Sequence, residues 1–458
     1  MLSLELKLWW VVDLLLKEVD FALQGLVSVR ARETGAAAFS PTRRSDAAAA
    51  VPATTACRSG SLFDGMSELA STPCSSKSTR RTTNGVDRVS SLPDELLHHM
   101  MSFLPMPEVV RTSLLSTRWR NLWASTPYIR IDHHDFKDYG KLKKFGDHLL
   151  LLRDGATSLD EARILANNVD TFTCCEWVRH AIMQKARHLH VSGYALLDST
   201  AMFPAQHLKT IRLRSLVLRG GFVRLLNCEC PVLEHLEIEQ SDLWDLKEIS
   251  SWSLKVLHLI RCLIIKGLVI CASNLTHLSI DEQSCHSGAV VTRDLSSLVT
   301  ASIRLRYDYY HTSGGSILDY RLLDGLSNAT TLELHAPLPE LTFERDLLTC
   351  LVFSNLTSLV LGDWCMAADL YPLRRILHRS PKLKELSIKL EMEECRSCKK
   401  SESALPLARG ALPSGSGSSH PFIETIIIHC QKKDSRGDAL LQALKLIAGN
   451  AKISIERR

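Results

Sequence analysis

The residues of this chain that could do chemistry are few, and they are mainly histidines and cysteines. His235, His258 and His277 each flank a leucine in a recurring motif, so they would lie near one another on adjacent strands. A transition-metal site needs further Asp, Cys or His ligands at ligand spacing, and the sequence supplies none beside them. We therefore expect no metal ion at these histidines.

Cys395 and Cys398 form a single Cys-x-x-Cys motif in a polar, lysine-rich segment. A structural zinc site would need a second pair at suitable spacing, which is missing from the sequence. His133 and His134 are interpreted as an exposed pair in a connecting segment. There is also no phosphate-binding loop, serine-nucleophile elbow or His-Glu-x-x-His motif. We predict no catalytic residue, no cofactor and no metal, and hence a protein that works by binding.

The composition indicates a large aliphatic core. Of the 458 residues 45% are hydrophobic, and 75 are leucine. The formal net charge is only +5, which is too dilute over this length to bind nucleic acid. The 14 cysteines are irregularly spaced, and Cys262, Cys271 and Cys350 stand in apolar runs, as small buried residues do. A reducing compartment, nucleus or cytoplasm, is expected.

The first part of the chain is predicted to lie outside any folded core. Residues 1–30 are apolar but contain charges such as Glu5 and Asp13, which excludes a membrane span and a secretory signal. We expect an apolar extension there, either an amphipathic helix or a segment that never packs. Residues 31–85 are rich in Ala, Ser, Thr, Pro and Arg, which predicts a disordered linker.

A compact module of three helices is predicted at residues 87–130. Pro93 stands at the first helical position, and Pro105 ends that helix. A second helix is predicted from Glu108 to Leu115 and a third from Thr117 to Ala124. Trp119 and Trp123 are interpreted as the module's own core. So small a unit cannot bury all of its apolar side chains, so the surplus must face a partner.

Four segments of this module carry a family resemblance: Leu92 to Leu97, Phe103 to Pro105, Val109 to Ser116, and Arg118 to Trp123. In order, spacing and residue type they resemble the F-box. The resemblance implies docking onto a Skp-type adaptor and, through it, onto a cullin scaffold and a ubiquitin-conjugating enzyme. It also implies a set of adaptor-binding residues, in which the first two begin the contact and the others supply apolar contact or core. These are Leu92, Pro93, Leu96, Leu97, Leu104, Val109, Val110 and Leu115.

A motif of the form Leu-x-x-Leu-x-Leu recurs through residues 181–400 and beyond. Its starts are separated by 21 to 31 residues, with one final spacing of 40. Such a period is typical of leucine-rich repeats, in which each strand and its return segment bury their leucines against neighbouring units. The expected fold class is α/β: a small three-helix F-box followed by a leucine-rich-repeat solenoid with a parallel sheet on its concave face. The starts are Ala186, Leu208, Leu233, Leu254, Leu275, Leu298, Ala329, Leu356, Leu383 and Ile423.

The later repeats strengthen the resemblance. The segments 353–361, 364–370 and 380–388 look like plant F-box proteins with leucine-rich repeats, and residues 422–458 are similar to the C-terminal FBD module of that family. Residues 369–381 predict a return helix with Leu373, Ile376 and Leu377 facing inward. Residues 131–180 are expected to connect the F-box to the repeats, and 401–421 to be a flexible insertion.

In each predicted strand the residues on either side of the second leucine point away from the core. They mix charges and lack aromatic rings for base stacking, so this wall suits a protein or a small organic ligand better than RNA. A merely solvated strand face is the alternative. The candidate target-binding residues are His235, Glu237, His258, His277, Ser279 and Glu333.

These features predict the substrate-recognition subunit of a Skp-cullin-F-box ubiquitin ligase. The F-box would bind the adaptor, the repeats would bind an unknown target protein, and proximity would make ubiquitin transfer local. The transfer chemistry would belong to the recruited enzyme, so the chain is not predicted to be an enzyme. The alternative is an adaptor-bound scaffold or a small-molecule sensor without degradation targets. Neither nucleic acid nor a membrane is expected as a partner.

Overall fold

The computed structural model describes residues 89–167, 169–197, 205–244, 246–265, 267–284, 290–306, 322–336, 343–349, 351–390, 422–432, 434, 436–448 and 451–458. The chain forms two compact units, Met1–Ala186 and Arg187–Arg458. The expectations for residues 1–30, 31–85 and 401–421, and those for Cys350 and the Cys395–Cys398 motif, lie outside the described residues. No helix of the described ranges is long and apolar enough to span a membrane.

Two short helices open the described part of the first unit, and both follow a proline. Helix α1 spans Asp94–Met101 and helix α2 spans Met106–Arg111. Pro93 and Pro105 occupy the N-cap positions with extended ψ values of 150° and 146°, so each proline is the last non-helical residue between a turn and its helix. Asp94 and Glu95 lie in the first turn of α1, where the helix dipole favours negative charge. The first helix is thus confirmed near its predicted start, but Pro93 is its N-cap and not its first residue, and the helix ends at Met101, before Pro105.

The second and third predicted helices differ from the structure. Helix α2 gives way to a 3-10 turn at Thr112–Leu114, and residues 117–121 form turns that lead into a second 3-10 turn at Leu122–Ser125. The prediction of a regular third helix was wrong. Tertiary packing overrides the helical period here: Trp119 and Trp123 are both buried although their segment is not a regular helix. Their predicted role as core residues is confirmed.

A β-α-β-α segment completes the first unit. Strand β1, Tyr128–Asp132, pairs in parallel with β2, Glu161–Leu165. Helix α3, Tyr139–Leu152, follows β1, and helix α4, Thr171–Met183, follows β2. Aspartates cap both helices: Asp138 accepts from the Lys141 amide at 3.1 Å, and Asp170 accepts from the Thr173 amide at 2.9 Å.

The second unit contains a parallel sheet of eleven described strands, which we call the main sheet. Ten of them begin two residues after a predicted motif start, and the eleventh holds Ile453 and Ile455. The repeat prediction is therefore confirmed rung by rung. The strands are β3 His188–Ser192, β5 Thr210–Arg214, β7 His235–Glu239, β10 Val256–Ile260, β13 His277–Ser284, β15 Thr300–Arg306, β16 Thr331–His335, β17 Ser358–Leu361, β18 Glu385–Lys389, β19 Thr425–Cys430 and β20 Lys452–Arg457.

Short strands form an outer layer behind the first rungs of the main sheet. Four two-residue strands make one small parallel sheet, and three further strands make another. Each rung thus buries its leucines between two layers, as a repeat without a self-sufficient core must. The outer strands are β4 Leu196–Leu197, β6 Val217–Leu218, β8 Asp242–Leu243 and β11 Leu263–Ile264, and then β9 Glu248–Ser250, β12 Leu268–Cys271 and β14 Val290–Arg293.

Left-handed residues connect the main sheet to the outer layer at equivalent positions. Ser215, Gln240 and Arg261 each follow a main-sheet strand with φ values of 55°, 49° and 53°. In each case the next residue is buried, and two of these are Ser241 and Cys262. The Cys262 thiol donates to the Ile238 carbonyl at 3.2 Å, which satisfies a strand-end acceptor. The inward position predicted for Cys262 is confirmed.

Helices replace the outer strands in later rungs. Leu373, Ile376 and Leu377 of the predicted return helix are buried, as expected. Residues 422–458 contribute β19 and β20, which continue the main sheet. One cysteine prediction needs correction: Cys271 is only half-buried, and its thiol lies 3.4 Å from Asp294 Oδ2. The helices of this unit are α5 Gly220–Arg224, α6 Glu344–Thr349, α7 Ala367–His378 and α8 Arg436–Ile447.

Candidate functional site

Helix α1 divides its leucines between the interior and the surface of the first unit. Leu97 is fully buried, whereas the neighbouring Leu96 is 50% exposed. One residue is a 100° rotation on a helix, so adjacent positions face different surroundings. The buried side of α1 holds the fold together, and its other side exposes apolar area.

The eight predicted adaptor-binding residues fall into three groups in the structure. Pro93, Leu96 and Leu115 are exposed, and Leu115 reaches 65% exposure. Leu92 and Leu104 are half-buried. The remaining three lie in the interior, where they support the surface from behind and do not offer area to a partner: Leu97, Val109 and Val110.

Three further apolar side chains of this module are exposed, and sequence reasoning did not select them. They are Val89, Met100 and Phe103, the last of which is 75% exposed and stacks edge-on against the His99 ring at 5.1 Å. Met100 lies one turn after Leu96, and Phe103 lies three residues further, so the helical period was the available signal. We call the exposed set the apolar face: Val89, Pro93, Leu96, Met100, Phe103 and Leu115.

The interior of the module is fastened by polar contacts as well as by packing. Trp119 Nε1 donates to Ser90 Oγ at 2.9 Å, and His98 Nε2 lies 3.1 Å from the Leu122 carbonyl oxygen. These contacts join the two ends of the module. The apolar face is therefore carried by a module with its own packed and hydrogen-bonded core, and its exposure is not a packing defect.

The second candidate surface is the strand face, which we define as the solvent-facing side chains of the main sheet. His235, Val256 and His277 stand side by side in register on β7, β10 and β13. Glu237, His258 and Ser279 form the next row, two residues further along the same strands. The structure thus brings together the five target-binding candidates of these strands, as the repeat period predicts.

The three imidazoles are close enough to influence one another. Burial lowers the pKa of His258; Glu237 opposes this, and the neighbouring His235 and His277 lower the pKa further. His277 Nδ1 lies 2.8 Å from Thr276 Oγ1. At neutral pH His258 is therefore an uncharged hydrogen-bonding group on this face.

Charges along the strand face are paired between rungs. Arg212 Nε lies 3.1 Å from Glu237 Oε2, and Arg214 Nε lies 3.6 Å from Glu239 Oε2. Both pairs join β5 to β7 at registered positions. The carboxylate of Glu237, a predicted target-binding residue, is already engaged by its own chain.

Glu333 is the centre of a larger charged cluster on β15, β16 and β18. Its Oε1 lies 2.8 Å from His335 Nε2, 2.9 Å from Lys389 Nζ and 3.8 Å from Arg304 Nη2. The His335 hydrogen bond lowers the pKa of Glu333 to about 2; burial opposes this, and Lys389 reinforces it. Glu333 is therefore ionised and committed to internal partners, and a ligand would meet Lys389 and Arg304 beside it.

A histidine pair in the first unit invites a metal assignment that its contacts do not support. Within the described ranges, Asp132, His133 and His134 form the one group of three whose ligand atoms lie within 4.8 Å of one another. Asp132 Oδ1 accepts a hydrogen bond from the His134 amide at 2.9 Å and lies 2.7 Å from His134 Nδ1. His133 Nδ1 contacts the Leu165 carbonyl oxygen at 3.0 Å. Local hydrogen bonds account for this geometry.

The interpretation of this pair as exposed holds for one residue. The His134 side chain is 72% exposed, but that of His133 is only 18% exposed. The Leu165 contact explains the difference, because it draws the His133 ring against β2.

Comparison with known proteins decides the family. A family model for the F-box domain matches residues 89–130, the segment that carries the apolar face. Two F-box/FBD/LRR-repeat proteins of Arabidopsis thaliana are 28% and 26% identical to this chain over 368 and 364 residues. The first alignment covers 68% of this chain and 78% of the relative, and the second covers 61% and 80%. The chain therefore carries an F-box domain and is similar to plant F-box/FBD/LRR-repeat proteins over most of its length.

A further relative of this chain is a putative FBD-associated F-box protein of Arabidopsis thaliana. It is 29% identical over 347 residues, which cover 66% of this chain and 74% of the relative. The relatives' names agree with the architecture described above: F-box helices followed by strands at leucine-rich-repeat spacing. The recognition made from sequence motifs is confirmed.

Proposed function

We propose that this chain is the substrate-recognition subunit of a Skp-cullin-F-box ubiquitin ligase. F-box domains bind Skp-type adaptors, and the apolar face is the observation that carries the proposal here. Leu96, Phe103 and Leu115 are each at least half exposed while the core behind them is complete. Apolar area of this extent on so small a module is typical of a protein interface.

The proposed mechanism uses tethering and needs no catalytic residue of this chain. The F-box holds the adaptor, and the adaptor connects to the cullin scaffold and the recruited ubiquitin-conjugating enzyme. The strand face holds the target near that enzyme. Ubiquitin transfer then occurs at a high effective concentration and not by chance encounter.

We propose the strand face for target capture. His235 and His277 are exposed and His258 is half-buried, so all three imidazoles present donors and acceptors to a partner. Glu237 and Glu333 are paired internally and would act by orienting Arg212 and Lys389. Ser279 supplies a hydroxyl in register with His258, on the next strand.

The adaptor contact is tested with the full chain and a purified plant Skp-type adaptor. Leu96→Ala combined with Phe103→Ala should weaken binding by at least about 30-fold, because exposed apolar anchors dominate such interfaces. Leu151→Ala is the matched control, since Leu151 is 65% exposed on α3, outside the F-box match. Equal binding by the double variant and the control would refute the proposed docking surface.

The ligase role is separated from the alternative by the fate of the bound partner. Proteins captured by the wild-type chain are compared with those captured by His235→Ala with His277→Ala, with and without proteasome inhibition. A partner that depends on these histidines and accumulates on inhibition supports a degradation target. A partner whose level ignores inhibition supports the scaffold or sensor function instead.

We also propose a nuclear or cytoplasmic location. Eight cysteines of the described ranges are free thiols, which suits a reducing compartment. Fractionation of plant cells that express the tagged full chain tests this. Recovery in a secreted fraction would contradict it.

A further inference from the structure

One guanidinium joins the two ends of the F-box. Arg118 Nη2 donates to the Leu92 carbonyl oxygen at 2.5 Å and to Asp94 Oδ1 at 2.7 Å, and Arg118 Nη1 donates to the Ser90 carbonyl oxygen. Three acceptors at alternate positions of one segment therefore converge on a single side chain. A planar fork of N–H groups suits such a set, whereas a lysine ammonium does not.

The neighbouring residue holds the same segment from the interior. Trp119 is buried, and its Nε1 donates to Ser90 Oγ at 2.9 Å. Ser90 Oγ also lies 3.4 Å from Ser116 Oγ. Residues 116–119 thus contact Ser90 through both its side chain and its carbonyl group. Because Trp119 is buried, it also fixes the position of the adjacent Arg118.

The gripped segment leads directly into the predicted adaptor contact. The Leu92 amide donates to the Val89 carbonyl oxygen at 3.1 Å and closes a turn. Pro93 then caps α1 without a side-chain hydrogen bond, and Asp94 is the first helical residue. Leu92 is half-buried and Pro93 is exposed. The turn therefore sets the direction in which these two side chains point.

We propose that Arg118 is a positioning residue for adaptor docking: it fixes the Ser90 and Leu92 carbonyl groups so that Leu92 and Pro93 are preformed for the partner. This inference rests on the proposed docking function and adds a residue to it. Its physical basis is preorganisation, because a segment that is already ordered does not lose its backbone entropy on binding. Arg118 needs no contact with the adaptor to have this effect.

The test compares two exposed arginines of the same turn in the full chain. Arg118→Gln should raise the Kd for a purified Skp-type adaptor about tenfold, mainly through slower association, because fewer molecules hold the competent conformation. Arg120→Gln, two residues away and also exposed, should change the Kd less than about twofold. Hydrogen exchange of the free chain should show lost protection at the Leu92 amide in Arg118→Gln alone.

Two further variants separate positioning from folding and from charge. Arg118→Lys keeps the charge but loses the fork, so it should bind about as weakly as Arg118→Gln; full recovery would overturn the proposed geometry. Asp94→Asn removes the charge of one of the three acceptors and should weaken adaptor binding less than Arg118→Gln does. If Arg118→Gln fails to fold, the Kd of Asp94→Asn still tests the proposal. The near-ultraviolet circular dichroism and the thermal unfolding temperature of the full chain should be unchanged in these variants, as expected if the aromatic core stays packed.

The outcomes distinguish this inference from the function on which it rests. A wild-type chain that fails to bind the adaptor would refute the docking function, while the exchange measurement would still show whether Arg118 orders residues 90–94. Unchanged exchange and unchanged Kd in Arg118→Gln would overturn the inference alone. Exchange protection lost throughout the first unit would also overturn it, since Arg118 would then be a folding residue.

Discussion

Lys389 Nζ and Glu333 Oε1 lie 2.9 Å apart although 56 residues separate them in the sequence. Their strands, β18 and β16, are not adjacent, because β17 lies between them with Val360 in register with Glu333. The lysine side chain is long enough to reach across that strand. Side-chain ion pairs therefore link rungs that share no backbone hydrogen bonds, and this cluster stabilises the later part of the main sheet.

The Glu333 cluster predicts a specific dependence of stability on pH. The folded-state pKa of about 2 is below the ordinary glutamate value of about 4.3, so the carboxylate stabilises the fold above that ordinary value. This contribution is lost as pH falls from about 4.3 towards 2. The difference in unfolding free energy between wild type and Glu333→Gln should be about 1–3 kcal/mol at pH 6 and should shrink in that window. Urea titrations at several pH values measure it, and a constant difference down to pH 2.5 would contradict it.

Replacement of Arg436 is predicted to lower the free energy of unfolding substantially. Its Nη1 lies 2.9 Å from Asp363 Oδ2, and its Nη2 and Nε engage the buried carboxylate of Asp434. Arg436→Ala leaves two carboxylates that are largely shielded from water, so it should cost about 3–5 kcal/mol in urea unfolding. The control is Arg457→Ala, whose pair with Asp438 is exposed and should therefore change urea unfolding far less. Equal losses for the two variants would be inconsistent with this account.

Gly146 is predicted to be essential for the contact between α3 and α4. A Cβ at this position would lie 2.4 Å from Trp177 Cζ2, and Trp177 is held by a hydrogen bond from its Nε1 to Asp147 Oδ1 at 2.9 Å. Gly146→Ala should therefore destabilise the first unit by about 1–3 kcal/mol despite the better helix propensity of alanine. Gly155→Ala, where a Cβ meets no atom within 4 Å, is the control for thermal unfolding. The idea fails if both substitutions leave the unfolding temperature unchanged.

Adjacent leucines of α1 should separate folding from binding. Leu97→Ala opens a cavity in the core and should cost about 2–5 kcal/mol of unfolding free energy. Leu96→Ala should leave unfolding within about 0.5 kcal/mol of wild type but weaken adaptor binding. Chemical unfolding and a binding titration of the same two variants measure both effects. A reversed pattern would show that the two faces of α1 are wrongly assigned.

Thiol reactivity should report the inward position of Cys262. Burial raises the pKa of its thiol to about 12, so almost no thiolate forms at pH 8. The exposed Cys228 should react with iodoacetamide in the native protein, whereas Cys262 should react only after unfolding. Mass spectrometry of labelled peptides distinguishes the two. Rapid native labelling of Cys262 would contradict the buried rung.

Much of the second unit follows from the sequence because a repeat imposes its own register. Leucines at fixed places in a motif that recurs every 21 to 31 residues, apart from one spacing of 40, have one way to be buried, with each strand beside the previous one. Even weak motif copies such as those at Ala186 and Ile423 therefore located β3 and β19 correctly. The F-box resemblance likewise identified the module from residue order, and the spacing of Trp119 and Trp123 separately predicted that both belong to its core.

Other features depended on tertiary contacts between residues far apart in the chain. The prediction of a third F-box helix was wrong because the packing of Trp119 and Trp123 overrides local helical spacing. The motif resemblance could not show that Leu96 is exposed and Leu97 buried. The net charge could not show that the Glu333 carboxylate is paired with His335 and Lys389. Periodicity determines which side chains share a face, since it is a property of the backbone repeat. Which of those side chains remain available to a partner is set by pairwise contacts, and these exist only once the chain has folded.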